Sequence, residues 1–198
     1  MTAHFSTAYL PPISYFKALL QFDSIELEAY ESWQKQSYRN RTYIYGPHGA
    51  MMLNIPIKNN EHKALMGTVE ISYETAWQNT HWQAIKTAYG SAPFFEVLGP
   101  DLEAFYKRPT NRLMDWNTQL LNLILDWLQI SPKITFSESW QTEVQKDFRE
   151  AFHPKRKDDN IFAPYSQVFS DEHGFIENLS VLDLLFNEGP AAFDYLQT

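Results

Sequence analysis

Apolar and polar positions follow two different rhythms along this chain. A period of two prevails early, and a period near 3.6 prevails from about residue 77 onward. After Pro11-Pro12, Ile13, Phe16, Leu19 and Leu20 fall at helical spacing, and proline is well suited to a helix's first turn. From Ser24 to Ala29, Ile25, Leu27 and Ala29 alternate with Glu26 and Glu28, which predicts a strand with one wet face. Arg41 to Ile57 reads as a hairpin turning at Gly46-Pro47-His48-Gly49, with Pro56 marking a strand end or edge. Gly67 to Tyr73, with Val69 and Ile71 on one face, reads as a further strand.

The helical half begins with Trp77, His81, Ala84, Ile85 and Ala88, stopped by Gly90. Ser91 can cap a short helix over Ala92 to Leu98 that Gly99-Pro100 would end, and Asp101 can cap another over Leu102 to Tyr106. Arg112 to Gln129 carries the clearest apolar face, with Leu113, Trp116, Leu120, Leu121, Ile124, Trp127 and Leu128. Lys133 to Phe136 is a strand candidate, and residues 141–164 read as a short helix followed by a long loop. Ser180-Val181-Leu182-Asp183 resembles a capping box with Asp in place of Glu, opening a helix to Phe186. A last short helix follows Asn187-Glu188-Gly189-Pro190. Strands early and helices late predict an α+β fold. The expected architecture is one domain over residues 1–198, with a small, mostly antiparallel sheet in the N-terminal half and helices packed on it. The apolar run Leu179 to Phe186 is too short to stand alone, so it should pack against the N-terminal half.

Composition narrows the chemistry. With 198 residues, 44% hydrophobic and 16% aromatic, the chain can bury a ring-rich core, although rings can equally stack a ligand. It has no cysteine, hence no disulfide, thiolate nucleophile or Cys-based metal site. The six histidines show no metal-ligand spacing, so no metal is expected. Net charge −8 opposes nucleic-acid and anionic-membrane binding. The first seven residues have no signal-peptide character, and no apolar run approaches the roughly 20 residues of a membrane span. A soluble, cytoplasmic protein is therefore expected. The basic knot His153 to Lys157, followed by Asp158-Asp159, reads as a solvated loop. The glycines form neither of the common phosphate cradles, and there is no nucleophile-elbow motif.

The strongest chemical signal is the run Lys35-Gln36-Ser37-Tyr38-Arg39-Asn40-Arg41, with three cations, the Asn40 amide beside that of Gln36, and a phenol in an acidic protein. Guanidinium forks bind carboxylate or phosphate in bidentate fashion. On an extended segment Arg39 and Arg41 would share one side. Lys35, Tyr38, Arg39, Asn40 and Arg41 thus read as an anion-binding rim, or as an arginine network pinning the hairpin to Glu26, Glu28 or Glu31. His81, on the apolar stripe between Trp77 and Ile85, is either a buried, hydrogen-bonded histidine or an acid/base group at the floor of an aromatic cleft. Asp23 is either a turn residue or a carboxylate facing the arginines. If the acid/base readings hold, Asp23, Arg39, Arg41 and His81 should line one pocket.

Several runs together resemble the WbqC-like family: Tyr9-Leu10-Pro11, Tyr15-Phe16, Asp23, Lys35 with Tyr38-Arg39-Asn40-Arg41, and Leu53-Asn54-Ile55-Pro56. Trp77, His81-Trp82, Ile85, Tyr89 and Ala92-Pro93-Phe94-Phe95 resemble its central segment. Tyr165, Gln167-Val168-Phe169, Gly174-Phe175, Asn178-Leu179-Ser180 and Asp183 to Gly189 resemble its C-terminal block. The likeness spans roughly residues 9–189. It implies a bacterial, cytoplasmic protein of surface-polysaccharide (O-antigen) biosynthesis, acting on a sugar nucleotide or another phosphorylated intermediate. The resemblance assigns no catalytic residue; on the reading of the residues above, an enzyme of this kind would use His81 or Asp23 to move protons, the arginines to hold the anion and aromatic rings to stack the base or sugar. The alternative is a non-catalytic ligand-binding or accessory protein of the same pathway. In both, the partner is a small anionic ligand, and no cofactor is specified.

Overall fold

The computed structural model describes residues 1–58, 64–156, 158 and 160–198. Strand β1 (Thr2–Ser6) leads through α1 (Ile13–Leu19) to β2 (Ser24–Glu28). The hairpin β3 (Arg41–Gly46) and β4 (Gly49–Asn54) follows, turning at Gly49, whose φ of 101° suits a residue without Cβ. Then come α2 (Trp77–Tyr89), α3 (Phe95–Tyr106) and α4 (Leu113–Trp127). Strand β5 (Lys133–Phe136), α5 (Ser170–His173), α6 (Val181–Glu188) and α7 (Ala191–Gln197) complete the described elements.

The fold mixes α and β as expected, but its main sheet is parallel rather than mostly antiparallel. The order is β1-β2-β5, with Ala3 beside Ile25 and Ile25 beside Ile134. The antiparallel element is the separate two-stranded hairpin, in which Arg41 pairs with Asn54. Parallel neighbours require a crossover, and α1 supplies it between β1 and β2. Two elements were unforeseen from sequence, the one-turn α5 and the strand β1. The alternation of β1 is only five residues long, yet Ala3 and Phe5 are fully buried.

Other expectations change for local reasons. Gly99-Pro100 does not divide α3, because Pro100 is exposed and the carbonyl it leaves unbonded can meet water. Over Gly67–Tyr73 there is no strand. A 3-10 turn at Met66–Thr68 gives way to isolated bridges, Ile71 to Ile57 and Glu70 to Arg112. Among the described residues of 141–164 there is no helix. The backbone instead completes β1's free edge, with His4 N–H bonded to Lys146 O and Phe148 N–H to His4 O, both at 2.8 Å. Lys157 and Asp159 of the basic-knot reading, and His62, lie outside the described residues. Ser180 caps α6 by accepting from Leu182 N–H, but Asp183 turns away to other partners, so no capping box closes.

The buried side chains form one hydrophobic cluster that takes in β1–β4, α1–α4, α6 and α7. The α6 segment is stitched to the N-terminal half as expected: Ser180 N–H reaches Tyr43 O, Val181 N–H reaches Pro11 O, and Ile13 N–H reaches Leu179 O. This stitching carries Asn178 to the mouth of a cleft beside α1.

Candidate functional site

Ligands of parallel sheets gather outside the carboxyl ends of the strands. Here those ends are Ser6 of β1, Glu28 of β2 and Ser137 just past β5, and a polar network fills the space above them. Arg39 donates to both oxygens of Glu31, at 2.8 and 2.5 Å, and to Ser6 Oγ at 2.9 Å. Arg39 and Glu31 are each about 4% exposed. Arg149 donates to Glu28 and Asp147, rests against the Trp140 ring at 4.1 Å, and is likewise buried. Burial pushes the Glu31 carboxyl up and Arg39 pulls it back; Arg149 holds Asp147 below the ordinary carboxylate range. Each buried guanidinium has a buried carboxylate partner, as buried charge demands.

Next to this network, a cleft of about 360 Å³ opens between α1 and residues 148–156, 158 and 160. Ser14, Lys17, Ala18 and Gln21 form one side at helical spacing. Tyr38, Phe148 and Phe152 supply rings, and His153, Arg156, Asp158, Asn160 and Asn178 supply polar groups. Asn178 is held in a left-handed conformation (φ 53°) by bonds to Ser14 N–H and to Asp158. Behind the cleft, Phe5, Phe148 and Phe152 stack nearly parallel. Tyr38 and Phe152 also line the opening toward Arg39.

Charge is arranged differently here. Arg156 donates to the Glu150 carbonyl, and Lys17 sits 5.6 and 5.7 Å from the Phe162 and Tyr195 ring centres. Neither makes an ion pair among the described residues. His153 is pushed below its ordinary value by partial burial and by Arg156, so it is neutral near pH 7. Its Nδ1 accepts from Lys155 N–H, which assigns the ring proton to Nε2. Burial, with Tyr43 and Asp158 nearby, raises the Tyr38 phenol to about 12, so it remains a hydrogen-bond donor.

The residues singled out in the sequence do not share one pocket. Tyr38 lines the cleft, and Arg39 stands behind it, locked to Glu31, one of the three carboxylates considered for it. Arg39 lies in a turn rather than an extended segment, so strand alternation does not place it beside Arg41. Arg41 opens β3; its Nε is buried without a hydrogen-bond partner, and it makes no ion pair among the described residues. Asn40 clamps the hairpin by donating to Ile55 O and Asn54 Oδ1. Lys35 is exposed in the turn. Asp23 lines a different depression, with Phe22, Ile130, Pro132 and Phe193.

His81 is buried in an aromatic cage. Its Nδ1 bonds Tyr9 Oη at 2.8 Å, Tyr9 Oη bonds Tyr106 Oη, and Trp77 packs edge-on. Burial lowers the imidazole to about 4, which keeps it neutral. It lines neither this cleft nor the Asp23 depression.

Lys17 carried no reading of its own, Arg156 and Asp158 belonged to the run read as a solvated loop, and Asn178 figured only in the C-terminal block of the resemblance. The available signal was the Ser14, Lys17, Gln21 spacing, a polar stripe on a helix whose other face is core. No group of three His, Asp or Glu among the described residues could hold a metal ion. No helix among them is long and apolar enough to cross a membrane.

Comparison with known proteins agrees with the sequence resemblance. The chain is 26% identical over 222 residues to the Uncharacterized protein Rv1507c of Mycobacterium tuberculosis, covering 96% of this chain and 94% of that protein. No solved structure matches it. Residues 7–154 match the family described as the WbqC-like protein family, a span that includes Lys17, Tyr38, Arg39 and Arg149 and ends just before Arg156. The chain belongs to the WbqC-like protein family.

Proposed function

We propose that this protein binds a small phosphorylated ligand, a sugar nucleotide or another phosphorylated intermediate, in the cleft between α1 and residues 148–156, 158 and 160. Its role would lie in the bacterial cytoplasm, in surface-polysaccharide (O-antigen) assembly, as the family resemblance implies. The supporting observation is the contrast in charge pairing: Lys17 and Arg156 face one cleft without carboxylate partners among the described residues, beside two groups of matched, buried ion pairs. A dianionic phosphate completes such a pair of cations, and Tyr38 adds a neutral donor. Asn178, fixed by two bonds, presents a set amide to the same space.

Chemistry on the bound ligand is favoured by one feature, the neutral His153 with its Nε2 proton in the same cleft as the Asp158 carboxylate. In that reading His153 and Asp158, rather than His81 and Asp23, carry acid/base roles.

Thermal melts over a panel of sugar phosphates and nucleotide sugars test the reading. A ligand at a hundredfold its dissociation constant adds roughly 2.7 kcal/mol, a clear rise in Tm. Lys17→Met with Arg156→Ala should abolish that rise. A ligand whose effect survives the double substitution binds elsewhere, and a panel with no effect at all ends the proposal.

A further inference from the structure

The cleft does not end at Lys17. A second chamber of about 640 Å³ continues from it and shares Lys17, Gln21 and Asn160 with the first. The two differ in chemistry. The inner chamber holds Arg156, His153, Asp158 and rings. Among the described residues the outer is lined by no charged side chain beyond the shared Lys17; Gln21 and Gln197 present amides, while the Asn160 amide donates to Asp158 and the Thr198 hydroxyl to the Tyr195 carbonyl.

We propose that the ligand lies across both chambers, with its phosphate between Lys17 and Arg156 in the inner one and its sugar ring against the amides of the outer one. This rests on reading the inner chamber as the anion site. An amide carries two donors and an acceptor, which matches neighbouring hydroxyls that each donate and accept. The Gln21 and Gln197 side chains make no hydrogen bond among the described residues, so both are available to a ligand. The half-buried Leu20 and the exposed Ile161 give aliphatic surface suited to the C–H face of a pyranose. Lys17 marks the joint. It lines both chambers, so a phosphate ester held by its ammonium would have its linkage where they meet.

Calorimetric titration with inorganic phosphate, a set of hexose 1-phosphates, and uridine and guanosine diphosphate hexoses separates the claims. At least one sugar ester should bind tenfold or more tighter than inorganic phosphate. Gln197→Ala, at an exposed position that lines the outer chamber and not the inner one, should lower that ratio while leaving phosphate affinity unchanged. Arg156→Ala should weaken phosphate and ester by the same factor. If phosphate and all esters bind equally, or the glutamine variant keeps the full ratio, the outer chamber is no sugar site although the inner anion site stands. If neither phosphate nor any ester binds, the anion reading fails and this inference with it.

Discussion

Two polar regions lie side by side in this molecule and handle charge in opposite ways. Above the carboxyl ends of the parallel strands, Arg39 and Arg149 are buried and each meets a buried carboxylate, Glu31 and Glu28. In the neighbouring cleft, Arg156 and Lys17 sit where solvent reaches, and no carboxylate pairs with them among the described residues. A buried charge without a partner is too costly to persist, so the first region reveals structural commitments. An exposed cation is tolerated unpaired, so the second retains binding capacity for something outside the chain. Cation density in the sequence does not distinguish the cases; burial does.

The comparison breaks most easily at Arg39. Arg39→Ala would leave Glu31 buried against Ser6 without its cation, at a cost on the order of 3–5 kcal/mol. Urea unfolding should show this as a large drop in midpoint with or without ligand. A loss under about 1 kcal/mol, the range of exposed pairs, would mean that the pair is solvated and the two regions are alike.

Asp183 supplies a third case, a buried carboxylate whose partners are all neutral. Tyr165 Oη and Gln167 Nε2 donate to it at 2.5 and 2.7 Å. Burial lifts its pKa to about 6, above the ordinary 3.8. The folded state then holds a proton that the unfolded state releases. Its contribution to stability is intact below the unfolded value and is lost as pH rises through that window, by an amount on the order of 3 kcal/mol. Asp183→Asn keeps an acceptor for Tyr165 and has no proton to lose. Relative to the natural protein, the variant should gain stability steadily from pH 4 to pH 6.5 in denaturant titrations. A constant difference across that range would show Asp183 charged throughout, and so compensated by something beyond its neutral donors.

Arg41 is the intermediate case. It begins two residues after Arg39 and carries the same charge, yet no carboxylate depends on it among the described residues. Arg41→Ala should therefore change stability by less than about 1 kcal/mol, well below the Arg39 effect. A drop as large as that of Arg39→Ala would reveal a partner and move Arg41 into the structural class.

Such distinctions mark the limit of what the sequence could disclose. Period-two and period-3.6 patterns located β2, the hairpin, α1, α2, α4 and α6, because each buries a face by itself. They missed β1, whose five residues gain meaning only through Ile25 and Leu27 alongside. They broke α3 at Gly99-Pro100, since exposure of Pro100 is a tertiary fact. At the site, the Lys35–Arg41 run was visible as charge, but Tyr38 lines the cleft while Arg39 is sealed behind it. The cleft itself joins α1, residues 148–156, 158 and 160, and Asn178. Residues so far apart in sequence carry no local pattern that announces their meeting, and the basic knot around Arg156 looked like any solvated loop.

The smallest expected effect on stability is the most telling about function. Arg156 is exposed, and among the described residues its one acceptor is a backbone carbonyl. Arg156→Ala strands no charge and leaves no cavity, so its unfolding free energy should stay within about 0.5 kcal/mol of the natural protein. Lys17 is held more firmly, by two rings, and Lys17→Met keeps most of its stem; lost cation–π attraction at such a site is worth about 0.5–1 kcal/mol. If both changes are this mild while phosphate-dependent stabilisation disappears, the cleft's cations serve a ligand and not the fold. If Arg156→Ala instead costs as much as Arg39→Ala, its charge is already matched within the protein, and the cleft joins the structural network beside it.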